Sequence, residues 1–158
     1  DSMLDEEIAL VDNYMYIMKV RFADRVSYIK SIECDTRDIP IPSMVLQPLV
    51  ENSIKHGIGD MKSGGTITLR VFREDGILYI DVSDNGRGIE GSTRDRLLHG
   101  SYFYEGESLG SDQPPSVGIG MINVITRLRV FFDQPDIIDI RNNAPEPGTT
   151  FSIRIRNV

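Results

Sequence analysis

Polar residues between positions 47 and 56 have the types and spacing that a ligand-binding face needs. At roughly 100° per residue, one side of a helix through this segment carries Gln47, Glu51, Asn52 and Lys55, with His56 on its border. An amide oxygen suits Mg²⁺, which prefers oxygen ligands, and a lysine suits phosphate oxygens. The other side of the helix is apolar and is expected to pack on a sheet. A solvated polar face is the alternative interpretation, and it holds for most helices.

A second polar cluster follows a predicted strand at about residues 77–84. Side chains alternate along a strand, so Asp84 shares the face of the strand's apolar residues and should point toward the core. A buried carboxylate needs a hydrogen-bond donor, and the exocyclic amine of a purine is one such donor. Gly86 and Gly88 would let the backbone approach a flat ring closely. Taken alone, this pattern is also that of an ordinary polar turn.

Two further segments combine glycine with the start of an element. Gly118 and Gly120 open a predicted helix, where free backbone amides form a ready anion site. Flexible loop closure explains these glycines equally well. Thr149 shares the parity of the apolar residues in the last strand, so its hydroxyl should face inward and require a partner. A β-branched residue that simply favours a strand is the alternative.

Length and composition are those of one globular domain. The chain has 158 residues, of which 40% are hydrophobic and 26% charged, enough for a core without metals or disulfides. The net charge of −7 and the lack of a basic run argue against nucleic acid as a partner. Cys34 is the only cysteine, which fits a reducing compartment. No stretch approaches the about 20 apolar residues of a membrane helix, so we expect a soluble chain.

The hydrophobic pattern predicts helices packed on one face of a mixed, mostly antiparallel sheet. Gly57 is expected to end the second helix, and Pro48 to disturb its first turns. Residues 86–117 are expected to form a long loop with a lid at about 89–117. The predicted helices are 3–22, 43–56 and 118–132, and the predicted strands are 26–32, 65–73, 77–84, 136–141 and 149–156.

In order and spacing, the four segments resemble the histidine-kinase members of the ATPase superfamily shared with gyrase B, Hsp90 and MutL. Residues 46–58 look like its N box, 84–89 like its G1 box, 118–121 like its G2 box and 148–151 like its terminal Gly-Thr motif. The branch of membrane sensor kinases typified by LytS and YesM is the most similar. Its features here are Tyr14, residues 19–22, residues 51–57, Asn123, Arg127 and Leu128. The resemblance implies a two-layer α/β sandwich of the Bergerat type that occupies residues 1–158.

The resemblance implies a site for ATP. Asp84 would bind the adenine amino group, with Thr149 helping through an ordered water. Gly86, Gly88 and Ile89 would lie against the ring.

The resemblance also implies a site for Mg²⁺ and the phosphates. Asn52 would ligate the metal, Lys55 would meet phosphate oxygens, and His56 would lie near the adenosine. Glu51 would act as general base, or as an electrostatic helper, for a histidine that attacks ATP. Amides that would reach the phosphates as the lid closes come from Gly118, Ile119, Gly120 and Met121.

The implied activity is in-line transfer of the γ-phosphoryl group to a histidine on an upstream dimerising segment, then to an aspartate of a response regulator. His56 and His99 are the only histidines, and neither has the context of that acceptor. We therefore expect the cytoplasmic ATP-binding part of a membrane-anchored, homodimeric bacterial kinase, without its dimerisation and sensor regions. The alternatives are an ATP hydrolase of the Hsp90 or MutL type, a kinase that phosphorylates serine, and a degenerate ATP-sensing domain.

Overall fold

The computed structural model describes residues 1–100 and 119–158, which build a sheet covered by helices. In chain order the elements are β1 (Ser2–Met3), α1 (Leu4–Phe22), β2 (Val26–Ile32), β3 (Pro40–Ile41), α2 (Leu46–Asn52), β4 (Gly65–Glu74), β5 (Ile77–Asp84), α3 (Gly91–His99), α4 (Ile119–Phe132), β6 (Ile138–Asn142) and β7 (Thr149–Arg156). A π-helical segment, Ser53–Ile58, continues α2 without a break.

The larger sheet has the order β2-β4-β5-β7-β6. Its β2–β4 pair is parallel and the other three pairs are antiparallel. β1 and β3 form a separate antiparallel pair beside the start of α1. A tight turn with positive φ at Asp75 and Gly76 joins β4 to β5.

One face of this sheet is apolar and carries the helices. On β5, Leu78, Ile80 and Val82 are fully buried and alternate with partly exposed residues. The same alternation on the neighbouring strands forms a single core with apolar residues of the helices. The two-layer sandwich predicted from the sequence is confirmed. Within the described ranges, no helix combines the length and apolar composition needed to cross a membrane.

The helix predicted at 43–56 differs from α2 at both ends. It begins at Leu46, which places Pro48 in the first turn, where a backbone N–H has no intrahelical acceptor. Pro48 therefore removes no helical hydrogen bond. The prediction that Gly57 ends the helix is wrong, because the π-helical segment passes through it to Ile58.

The prediction of an uninterrupted loop at 86–117 is also wrong, because α3 occupies part of it. This short helix is polar and holds only one buried residue, Leu97, so its sequence shows little helical periodicity. The Gly100 N–H closes its last turn on the carbonyl of Arg96 at 2.7 Å. Residues 101–117 of the predicted lid, together with Gly118, lie outside the described residues.

We expect Pro48→Ala to change the free energy of unfolding by no more than about 1 kcal/mol, because no helical hydrogen bond is restored. Glu51→Pro, which would remove such a bond one turn later, should cost about 3 kcal/mol or more. Urea denaturation monitored by circular dichroism measures both. Equal effects of the two substitutions would contradict the position of Pro48 in the first turn.

Candidate functional site

A cleft of about 480 Å³ lies between the end of α2, the end of β5 and α3. This volume is in the range of small-molecule sites. Six residues singled out from the sequence line it: Asn52, His56, Asp84, Gly88, Ile89 and Thr149. The fold therefore gathers residues from three of the four sequence motifs around one cavity.

Asp84 lies at the base of the cleft and is 5% exposed. Its Oδ1 accepts a hydrogen bond from the Gly86 N–H at 2.8 Å. Burial raises the pKa of this carboxyl, and the N–H groups of Gly86 and Thr149 and the Ser53 hydroxyl act in the opposite direction. A carboxylate that is short of donors in a buried place is suited to accept one from a ligand.

Glycines enclose the Asp84 residue on several sides. A Cβ at Gly57 would lie 2.8 Å from Asp84 Cγ, and one at Gly86 would lie 2.2 Å from the Gly57 carbonyl oxygen. A Cβ at Gly148, where φ is +110°, would lie 1.9 Å from the Asp84 carbonyl oxygen. The π-helical segment brings Gly57 into this contact, which is the physical reason for a glycine inside the helix.

Ser53 adds unused hydrogen-bonding capacity beside Asp84. The residue is 1% exposed and lines the cleft. Its hydroxyl is near enough to lower the pKa of Asp84, yet its Oγ meets no partner with hydrogen-bond geometry in the part of the chain that the structure describes. A buried hydroxyl without a partner is costly, so a ligand or water in the cleft would relieve that cost.

Three asparagine side chains hold the loop that follows β5. The Asn142 amide accepts from the Ile89 N–H at 2.8 Å and donates to the Ile89 carbonyl at 2.9 Å. Asn143 donates to the Asp84 carbonyl at 3.0 Å. Asn85 accepts from one backbone group at the start of β4 and donates to another just before it, both at 2.8 Å. These directional contacts fix the loop against the sheet.

The polar side of α2 is only partly in the cleft. Asn52 and His56 line it, whereas Glu51 and Lys55 are exposed and lie outside the lining. Glu51 accepts a hydrogen bond from Gln47 at 2.9 Å. Burial, followed by the charges of Lys55 and Arg87, lowers the pKa of His56, which favours the neutral imidazole at pH 7.

The remaining predicted residues take different places. Gly86 is buried beneath the cleft, against Gly57. Gly120 and Met121 belong to the first turn of α4 and are not among the residues that line the cavity, and the side chain of Ile119 is not described. Sequence reasoning missed seven lining residues. Ser53, Gly57, Arg87 and Phe151 lie inside the motifs, and Glu90, Thr93 and Leu97 lie at or in α3.

The lining of the cleft combines apolar and polar side chains. Ile89, Leu97 and Phe151 provide apolar walls, which together with the Asp84 carboxylate suit a flat ring with an amino group. Asn52, His56 and Arg87 add polar and basic side chains to the lining. Across residues 1–100 and 119–158, no group of three or more His, Cys, Asp and Glu side chains is placed to hold a metal ion by itself.

Comparison with known proteins identifies relatives of this chain. Residues 38–158 match the family described as histidine kinase-, DNA gyrase B-, and HSP90-like ATPase. The chain is 30% identical over 154 residues to the sensor protein LytS of Oceanobacillus iheyensis, covering 98% of this chain and 25% of that protein. It is 30% identical over 159 residues to the sensor histidine kinase YpdA of Escherichia coli, covering 99% and 25%. The chain thus spans between about a quarter and half of the curated relatives it matches.

Solved structures share the fold at low sequence identity. The nucleotide-free catalytic domain of histidine kinase ThkA has a TM-score of 0.62 at 17% identity, covering 98% of this chain and 92% of that chain. ThkA in complex with the response regulator protein TrrA has a TM-score of 0.62 at 14% identity, covering 99% and 41%. These likenesses extend to the whole two-layer architecture.

We expect Asp84→Asn to leave the ligand-free protein at least as stable as the wild type at pH 7.5. The pKa of Asp84 is raised above its ordinary value of 3.8, so the folded state binds the proton more tightly than the unfolded state does. Wild-type stability therefore falls as pH rises through the pKa of Asp84 in the folded state. The melting temperature of the variant relative to the wild type should therefore increase between pH 4 and pH 7.5.

Differential scanning calorimetry across this pH range measures the difference. Asp81→Asn, which removes the same charge on the opposite face of β5, is the matched control for this comparison. A relative melting temperature for Asp84→Asn that decreases with pH would contradict the raised pKa.

Proposed function

Because the chain belongs to the histidine kinase-, DNA gyrase B-, and HSP90-like ATPase family, we propose that it binds ATP with Mg²⁺ in the cleft for phosphotransfer to a histidine. The observation that carries this proposal is the buried Asp84 carboxylate, which is enclosed by glycines and faces a cavity of nucleotide size. The remaining residues divide between the base end and the phosphate end of the nucleotide.

At the base end, Asp84 accepts a hydrogen bond from the adenine amino group. Ser53 Oγ and the Thr149 hydroxyl hold a water molecule that bridges the ring to the carboxylate. Support comes from the unpartnered Ser53 hydroxyl beside Asp84, which such a water would satisfy. The ring lies against Gly88 and Ile89, whose backbone Asn142 fixes in place.

At the phosphate end, Asn52 would supply an amide oxygen to Mg²⁺, a hard ion that prefers oxygen ligands and would neutralise phosphate charge. Asn52 is a polar residue of the cleft lining, which supports this role. Lys55 lies one turn further along the helical segment and reaches phosphate oxygens with its long side chain. Backbone amides at residues 118–121 complete the phosphate contacts, and His56 lies near the adenosine.

The proposed reaction is in-line transfer of the γ-phosphoryl group to a histidine imidazole, in which positioning and charge neutralisation supply the catalysis. Glu51 acts as general base or as electrostatic helper for the incoming histidine, which is compatible with its exposed position on α2. The acceptor histidine belongs to a dimerisation segment of a membrane-anchored homodimeric parent. A response regulator then receives the phosphoryl group. Relatives named as sensor histidine kinases support these partners.

We expect Asp84→Asn to abolish measurable ATP binding, because the amide presents a donor where the adenine amino group also donates. Isothermal titration calorimetry with Mg·ATP measures the change. Asp81→Asn removes the same charge from the opposite face of β5 and should bind ATP like the wild type. An unchanged affinity for Asp84→Asn would refute the adenine assignment.

We expect Asn52→Ala to remove the Mg²⁺ dependence of ATP binding while it spares the adenine contacts. The test compares ATP affinity in Mg²⁺ and in EDTA by the same calorimetric titration. Asn13→Ala, at an exposed position of α1, is the control and should keep the wild-type response to Mg²⁺. A full Mg²⁺ response in Asn52→Ala would assign the metal to other ligands.

A further inference from the structure

The helix that carries Asn52 has no local cap at its N-terminus. Val45 occupies the cap position and its side chain makes no capping hydrogen bond. The Glu7 carboxylate of α1 takes that role, because it accepts from the N–H groups of Met44, Val45 and Leu46 at 3.1, 2.9 and 3.4 Å. Glu7 is 1% exposed, so this anion on the positive end of α2 is shielded from water.

Arg127 of α4 holds the same short segment from its carbonyl side. Its guanidinium donates to the Ser43 carbonyl and, at 3.4 Å, to the Met44 carbonyl. Met44 has φ of +57°, a conformation that non-glycine residues seldom adopt without support. An anion on the N–H side and a cation on the C=O side together supply that support. We call this pair of residues, Glu7 and Arg127, the α2 clamp.

Apolar packing by itself does not determine where α2 lies along its own axis. Leu46, Leu49 and Val50 are fully buried, but burial of apolar area is non-directional and tolerates small slides of a helix. Hydrogen bonds to defined backbone groups do not tolerate such slides, because their strength falls steeply with distance and angle. The α2 clamp therefore sets the axial position of the helix.

From this geometry we propose that Glu7 and Arg127 are positioning residues for the phosphate and metal end of the nucleotide site. The inference rests on the proposed ATP-binding function. α2 and its π-helical continuation carry Asn52 and His56 into the cleft, so their place depends on the α2 clamp. At the base end, Asp84 belongs to β5, and the loop after it is held by Asn142 and Asn143, none of which Glu7 or Arg127 contacts through a hydrogen bond. Ser53 and Gly57 of the π-helical segment also border Asp84, so we expect the base end to depend on the α2 clamp less than the phosphate end does.

This division predicts a selective effect that a merely structural role would not produce. In Glu7→Gln, one carboxylate oxygen becomes an NH₂ group that faces backbone donors, which releases the start of α2. Affinity for a non-hydrolysable ATP analogue in the presence of Mg²⁺ should fall about tenfold or more, whereas affinity for adenosine should stay within about twofold of the wild-type value. Loss of stability alone would leave the affinity of the folded fraction unchanged for both ligands.

The experiment titrates the 158-residue chain with the analogue plus Mg²⁺ by calorimetry and with adenosine by NMR. Glu6→Gln is the matched control, because Glu6 is the exposed neighbour on α1 and its carboxylate accepts from Ser2 and Met3, away from α2. This variant should bind both ligands like the wild type. Arg127→Lys, which keeps the charge but loses the two-pronged donor, should show the same selective loss as Glu7→Gln.

The outcomes separate the two proposals. Suppose that the wild type binds both ligands and that the variants bind both with unchanged or equally weakened affinity. This result would overturn the positioning role of the α2 clamp and leave the proposed function standing. If Glu7→Gln does not fold, Arg127→Lys decides, and unchanged affinity for the analogue in that variant overturns the inference. A wild type that binds neither ligand would overturn the proposed function and this inference with it.

Discussion

The buried Asp84 carboxylate is the constraint around which the rest of the site is arranged. Removing a charged group from water is costly unless donors replace the lost hydration, and here the replacement is incomplete. The fold supplies backbone N–H groups at close range, and glycine backbone from the π-helical segment, from the loop after β5 and from the residue before β7 packs closely around Asp84. The adenine amino group of the proposed ligand would supply a further donor.

Rigid elements keep the cleft beside Asp84 from closing. β5 is a central strand with antiparallel partners on both sides, so the base of the cleft cannot close by shifting a single strand. Amide side chains hold the loop beyond β5. Asn142 uses both its donor and its acceptor on Ile89, and Asn143 donates to the Asp84 carbonyl. Function and fold stability meet here, because the contacts that keep the cavity open also hold strand ends together.

Much of this arrangement was predictable from the sequence, and the reasons are local. Strand parity placed Asp84 inward, and the helical wheel placed Asn52 and His56 on one side, because both patterns depend only on backbone geometry. Gly57 was misread as a helix end, since its role is a contact with a residue 27 positions away. α3 was missed because a short polar helix with one buried leucine carries little periodicity.

The residues that support the site were harder to predict than those that form it. Glu7 and Asn142 act on backbone groups about 40 and 50 positions away, and a carboxylate near a helix start or an asparagine at a strand end has an adequate local explanation. Ser53 is buried beside Ile54, so its position alone gives no sign of a ligand. Its unpartnered hydroxyl became visible only through the three-dimensional surroundings.

The three glycines around Asp84 also limit how this protein can diverge. At Gly57, Gly86 and Gly148 any other side chain would collide with main chain or with the carboxylate itself. Substitution at these three positions is therefore incompatible with this backbone. The rim built from α3 and the polar turn of α2 carries no such restriction. Sequence change around the cleft is therefore expected at the rim, whereas the backbone that encloses Asp84 should stay the same.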